Sequence, residues 1–171
     1  MSGGLLIQNS MMALPNGIVQ GDLRVVDGII TTIAPNGVID PVFGEIVIDG
    51  NGLHLLPGAI DPHVHFRDPG HPEKEDLESG SRAAASGGIT SFLDMPNTLP
   101  NAINRTALKE KLSLASKKAV THHGFFIGAT ANNTADLQSV EGMEGVCGIK
   151  IFMGSSTGDL LVPEQRHLED I

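Results

Sequence analysis

GAIDPHVHFRDPG, residues 58–70, sets two histidines and an arginine at every second position of a segment that otherwise suits a buried strand. Side chains at i, i+2 and i+4 of a strand share a face, so Asp61, His63, His65 and Arg67 are expected on one side and Val64 and Phe66 on the other. Core packing would place valine or isoleucine in such a row. A polar row on an interior face therefore calls for a chemical role. Two imidazoles at this spacing can reach one divalent ion, held by the strand without loop entropy. The plainer alternative is a pair of loop histidines making local hydrogen bonds. Arg67 adds a fork of donors suited to a carboxylate, two residues past the imidazoles.

Outward from this stretch the rhythm of the chain changes near Leu55. Residues 1–55 alternate short apolar runs with turn signals, and Asp27-Gly28 inside VVDGII predicts a two-residue hairpin. This part reads as a small antiparallel sheet, an incomplete β-sandwich segment. From residue 56 strand and helix patterns alternate. A strand ending in HVHF is followed by a helix over about residues 74–86, closed by Gly87 and Gly88. Then come the strand ITSFLDMP and a helix in NRTALKEKLSLASKKAV, with Asn104 as its cap and Leu108, Leu112 and Ala115 as its apolar stripe. The strand GFFIGAT, a short helix in TADLQSVEGM, the strand GVCGIKIFMG and the start of a helix in PEQRHLEDI complete the series.

Such alternation builds a parallel sheet, either open and doubly wound or closed as a (β/α)8 barrel. Residues 56–171 supply four units, the N-terminal half of a TIM barrel, whose complete form takes roughly 250 residues. In barrels of this α/β class the C-terminal strand ends hold the active site, and the histidines fall where the first strand runs into its loop.

Composition narrows the function classes. A net charge of -9 with only 11 lysines and arginines argues against a nucleic-acid partner. The single cysteine, Cys147, permits no internal disulfide and fits a reducing compartment. No basic start leads into an apolar run, and no stretch approaches the ~18 apolar residues of a membrane span. The expectation is a cytoplasmic protein with a small-molecule substrate and neither nucleic-acid nor membrane partners.

DPHVHFRDPG, followed by GGITSFLDMPNTLP at residues 87–100 and CGIKIFMGSSTG at residues 147–158, resembles the amidohydrolase superfamily and, within it, the dihydroorotases. The resemblance runs along the whole chain. It implies a metal-dependent (β/α)8 barrel beside a small β-sandwich that the C-terminal end completes. It also implies two zinc ions in the complete enzyme, with His63 and His65 as ligands. Lys150 matches the lysine that several branches carboxylate with CO2 and use to bridge both ions. Carbamate formation needs a neutral amine, whereas a lysine ordinarily keeps its proton to about pH 10.4; burial and nearby cations lower that value. The alternative for Lys150 is a structural lysine reaching past the strand end.

By the same resemblance Arg67 and Asn97 bind the substrate carboxylate. Asn97 can donate and accept at once; otherwise it is a turn asparagine beside Pro96. The implied reaction is reversible hydrolysis of the cyclic amide dihydroorotate to N-carbamoyl-aspartate in pyrimidine synthesis, through water whose pKa the metal lowers to about 7. Hydantoinases and allantoinases share the His-x-His pattern but lack the arginine and asparagine found here. That pair favours dihydroorotase, with allantoinase or dihydropyrimidinase/hydantoinase as the alternative.

No catalytic acid or base is expected within the chain. The two further metal-binding histidines and the proton-shuttling aspartate that the resemblance implies would lie beyond Ile171, so the isolated chain is expected to be inactive. It reads either as a fragment of a longer enzyme, homo-oligomeric when complete, or as a truncated non-catalytic homologue acting as a partner subunit. An open half barrel exposes sheet edges and helix faces, which favours the first. His122 and His123 precede the third strand, at the opposite end, and read as structural or surface residues. His54, His71 and His167 carry no partner signal, and Cys147 reads as a small core residue. GSSTG at residues 154–158 lacks the lysine and glycine spacing of a phosphate-binding loop.

Overall fold

In the computed structural model, which describes residues 4–155 and 160–171, Asp27 and Gly28 hold φ values of 50° and 79°. Positive φ at both central positions is what a two-residue hairpin needs. It turns β2 (Gly17–Val26) into β3 (Ile29–Pro35), antiparallel to each other, with β1 (Gly4–Leu14) antiparallel on the far side of β2. The expectation of a purely antiparallel sheet is not met. β4 (Ile46–Asp49) and β5 (His54–Leu55) both pair with β1 in parallel. The carboxylate of buried Asp22 explains much of this return path. Its Oδ1 accepts from Asn9 N–H, and its Oδ2 from the N–H groups of Gly37, Val38 and Ile39. One side chain thus gathers the segment after β3 against β2, whence the chain re-enters alongside β1. These strands form one of two compact units, Met1–Pro57, with Leu6, Met12, Leu23 and Ile39 buried inside it.

The second unit, Gly58–Ile171, is a parallel sheet in the order β6 (Ala59–Val64), β7 (Ile89–Asp94), β8 (His122–Gly128), β9 (Val146–Lys150). Helices α1 (Leu77–Ser86), α2 (Arg105–Lys118) and α3 (Thr134–Ser139) connect successive strands, and α4 (Gln165–Asp170) follows β9. This is the curled sheet of the N-terminal half of a (β/α)8 barrel. The helix starts follow from their caps: Asp76 accepts from Ser79 N–H, and Asn104 from Ala107 N–H. Gly87 and Gly88, the latter at φ 83°, end α1. β8 begins two residues earlier than the sequence suggested, so His122 and His123 lie within it.

Phe92, Phe125 and Ile127 from the strands pack against Leu77, Leu108 and Ala115 from the helices, all nearly inaccessible. Burying a leucine or phenylalanine side chain contributes about 1.5–3 kcal/mol relative to leaving it exposed. α1 approaches the chain after β6 closely at Gly80, where an added Cβ would lie 2.6 Å from the Phe66 ring. Among the described residues no helix is long and apolar enough to cross a membrane.

Candidate metal centre

Aligned partners in a parallel sheet present their side chains to the same face, which fixes the phase of each site residue. Asp61 pairs with Phe92, but Val64 pairs with Asp94, so β6 uses three steps where β7 uses two. The extra residue lies between Asp61 and Val64, a span that includes Pro62, which has no N–H to give the ladder. Phe92 and Asp94 both point toward the helices and are fully buried. Asp61 and Val64 therefore share that face, while His63 and His65, flanking Val64, take the other. The expected row loses Asp61, whose Oδ1 instead accepts from His63 N–H at 3.1 Å. His65 and Arg67 lie past the end of β6 but keep its alternation. Both are exposed, with Phe66 and Asp68 buried between and beside them.

The two imidazoles converge, with His63 Nε2 standing 3.1 Å from His65 Nε2. At metal–nitrogen distances of ~2.0–2.1 Å, that separation corresponds to an angle of about 100° at a shared ion, close to the edge of a tetrahedron. The second ring nitrogen of His65 is engaged as well: Nδ1 lies 2.7 Å from Asn97 Oδ1. An amide oxygen only accepts, so His65 carries its proton on Nδ1 and presents a bare Nε2, the form that binds a metal. The donor set fits a divalent ion such as zinc. No third histidine, cysteine, aspartate or glutamate completes this pair among the described residues.

Lys150 pairs with Gly128, out of phase with the helix-facing Ile127, so it shares the face of His63 and His65 three strands away. It is half-buried, and its Nζ lies 5.0 Å from the Phe152 ring centroid. Arg67 is tied by its backbone, donating to Glu75 O and accepting from His71 N–H, while its side chain is exposed. Asn97, expected at the substrate, is half-buried and orients His65. His122 and His123 lie at the opposite end of the sheet. Cys147 is exposed rather than part of the core, because β9 is an edge strand of this sheet. It lines a cavity of about 350 Å³ on the helix side, with Leu137, Ile149 and Ile171. Of the GSSTG loop, residues 156–158 lie outside the described residues.

Sequence reasoning missed Asp94 and Lys111, a buried ion pair 2.8 Å apart directly behind the site. Burial pushes the Asp94 carboxyl up and the Lys111 ammonium down, each opposed by the charge of the other. A signal was available: Lys111 falls on the same helical face as Leu108 and Ala115, where an unpaired charge would be costly.

A model described as "Amidohydrolase family" matches residues 54–152, more than half of the chain. The chain belongs to the amidohydrolase family. Among amidohydrolase relatives, the dihydroorotase of Methanosarcina acetivorans is 36% identical over 163 residues, which cover 95% of this chain and 34% of the relative. The allantoinase of Deinococcus radiodurans is 36% identical over 157 residues, covering 91% of this chain and 34% of the relative. The solved L-hydantoinase (dihydropyrimidinase) of Arthrobacter aurescens superposes with a TM-score of 0.89 at 26% identity, covering 99% of this chain and 37% of that one. This amidohydrolase chain thus spans about a third of the length of its curated relatives.

Proposed function

We propose that this chain forms the N-terminal part of a metal-dependent cyclic-amide hydrolase, and that its substrate is dihydroorotate. The observation that carries the proposal is the facing pair of imidazole nitrogens, 3.1 Å apart, with Asn97 behind one of them. His63 and His65 would hold the metal, zinc in this reading, through Nε2. Lys150, if carboxylated, would join them from the same face of the sheet. Across a flat sheet three strand spacings amount to roughly 14 Å, so the lysine and the imidazoles meet on shared ions only across the hollow of a curled one. A bound metal pair would supply an activated water and a Lewis acid for the ring carbonyl. Arg67, two residues past the ligands, offers its fork to the substrate carboxylate and turns the carbonyl toward the metals. Asn97 contributes through its amide, whose NH2 remains available to donate.

The relatives support cyclic amides as a class, since they include a dihydroorotase, an allantoinase and a hydantoinase. They favour none of the three, so hydrolysis of allantoin or hydantoin is the second reading. Arg67 separates them on chemical grounds, because dihydroorotate carries a free carboxylate and the other two do not. A protein carrying these residues at the head of a complete barrel should hydrolyse dihydroorotate in preference to allantoin and hydantoin in a spectrophotometric assay. Arg67→Ala should raise KM for dihydroorotate about 10–100-fold, the worth of a charge-assisted hydrogen bond, with zinc content unchanged. Preference for an uncharged ring would replace the first reading with the second. Loss of zinc from the Arg67 variant would remove its assigned role. The 171-residue chain alone should show no hydrolysis.

A further inference from the structure

We infer that the buried Asp94–Lys111 pair is a positioning device for the histidine site: it holds the segment His65 to Arg67 at a fixed height against the end of β7 that carries Asn97. The inference rests on the metal-site reading above and adds to it residues that touch neither metal nor substrate.

The pair lies where the two halves of the site meet. Asp94 is fully buried, and its Oδ1 accepts from Phe66 N–H at 3.0 Å, between the ligand His65 and the substrate-facing Arg67. Its Oδ2 meets Lys111 Nζ at 2.8 Å. That ammonium also donates to Met95 O at 2.8 Å and sits 4.8 Å from the centroid of the Phe125 ring. Met95 N–H in turn donates to Val64 O at 2.9 Å. One carboxylate therefore ties the end of β7 to the loop after β6, and one lysine ties the same strand end to α2.

Stability is a poor reason for such a pair, since well-packed apolar residues of similar volume usually serve as well or better. Geometry is a better one. Apolar contacts are non-directional, and an apolar pair would leave the buried Phe66 N–H without an acceptor. A hydrogen bond sets a distance instead, so the Phe66 backbone is held where its neighbour His65 meets Asn97 at 2.7 Å. Release of that backbone frees the His65 ring from its fixed tautomer and from its partner nitrogen on His63.

Two double variants isolate the effect. D94N/K111M and D94L/K111M both remove the buried charges and keep a side chain branched at Cγ, the leucine being the bulkier, but only asparagine retains an acceptor for Phe66 N–H. Long-range 1H–15N NMR of the metal-free chain reports the imidazole tautomer, and equilibrium dialysis reports zinc affinity; both are run below each variant's thermal midpoint. The wild type and D94N/K111M should show His65 protonated at Nδ1 and bind zinc within threefold of each other. D94L/K111M should show a mixed tautomer and at least tenfold weaker zinc binding, the scale expected when a ligand loses its orientation. Should the leucine variant fail to fold, D94A/K111M gives the same contrast with a cavity in place of bulk. Equal behaviour of the acceptor-bearing and acceptor-free variants overturns the inference. If the wild type binds no zinc, the metal reading fails by itself, and the tautomer contrast still decides the positioning role.

Discussion

His63 and His65 stand two residues apart at the C-terminal end of β6, whereas His122 and His123 stand side by side at the N-terminal start of β8. The first pair shares a face, and its ring nitrogens meet at 3.1 Å. Adjacent strand residues point to opposite faces, so the second pair diverges. His122 is exposed, while the ring of His123 stacks over Phe92 with centroids 6.0 Å apart and tilts against Phe125 at 5.9 Å. The same residue type thus serves as a potential ligand in one place and as packing in the other. Phase along the strand and the end of the sheet decide which.

That contrast can be broken most directly with zinc. His65→Ala should weaken zinc binding by the chain roughly 100-fold, since structural sites draw their affinity from a few ligands jointly. His122→Ala and His123→Ala should each leave it within twofold, measured by equilibrium dialysis. A comparable loss in either of the latter would erase the distinction between the pairs. A smaller effect sharpens it: Asn97→Ala keeps both imidazoles but removes the acceptor behind His65, and zinc affinity should fall about tenfold. An unchanged affinity would make the 2.7 Å contact incidental. The smallest effect concerns the loop that carries Arg67, whose N–H donates to Glu75 O next to the cap of α1. Hydrogen bonds from the Ser79 hydroxyl and N–H hold the Asp76 carboxyl below its ordinary 3.8. The folded-state value is the lower one, so the cap's contribution is complete above 3.8 and disappears as pH falls through the lowered value. Thermal midpoints of wild type and Asp76→Ala should therefore differ near pH 7 and converge only as the pH falls below 3.8 and through the lowered value.

The alternation of strands and helices was legible because each element buries one face at its own period. α2 shows this in Leu108 and Ala115, and its start in Asn104. The histidine pair was legible for the same reason, period two being visible in the letters. Asp61 was misplaced because a bulge leaves no mark on spacing, although Pro62 is the residue that hints at it. The parallel return of β4 and β5 was hidden because it depends on one carboxylate, Asp22, reaching N–H groups 15 to 17 residues away. Lys111 was missed by the reading of α2, which took only Leu108, Leu112 and Ala115 as its buried stripe. Its place on the face of Leu108 and Ala115 marks it as buried, whereas its partner Asp94, 17 positions earlier, carries no local mark of the pairing.

Gly80 shows how far the constraint on this site spreads. Any side chain there would drive α1 into the Phe66 ring, and the backbone of that phenylalanine is the rung from which His65 hangs. A position on the outer helical layer is thereby denied freedom to vary by the segment that carries His65 on the opposite side of the sheet. An alanine at 80 would act as a wedge, and its damage would register first as misaligned imidazoles.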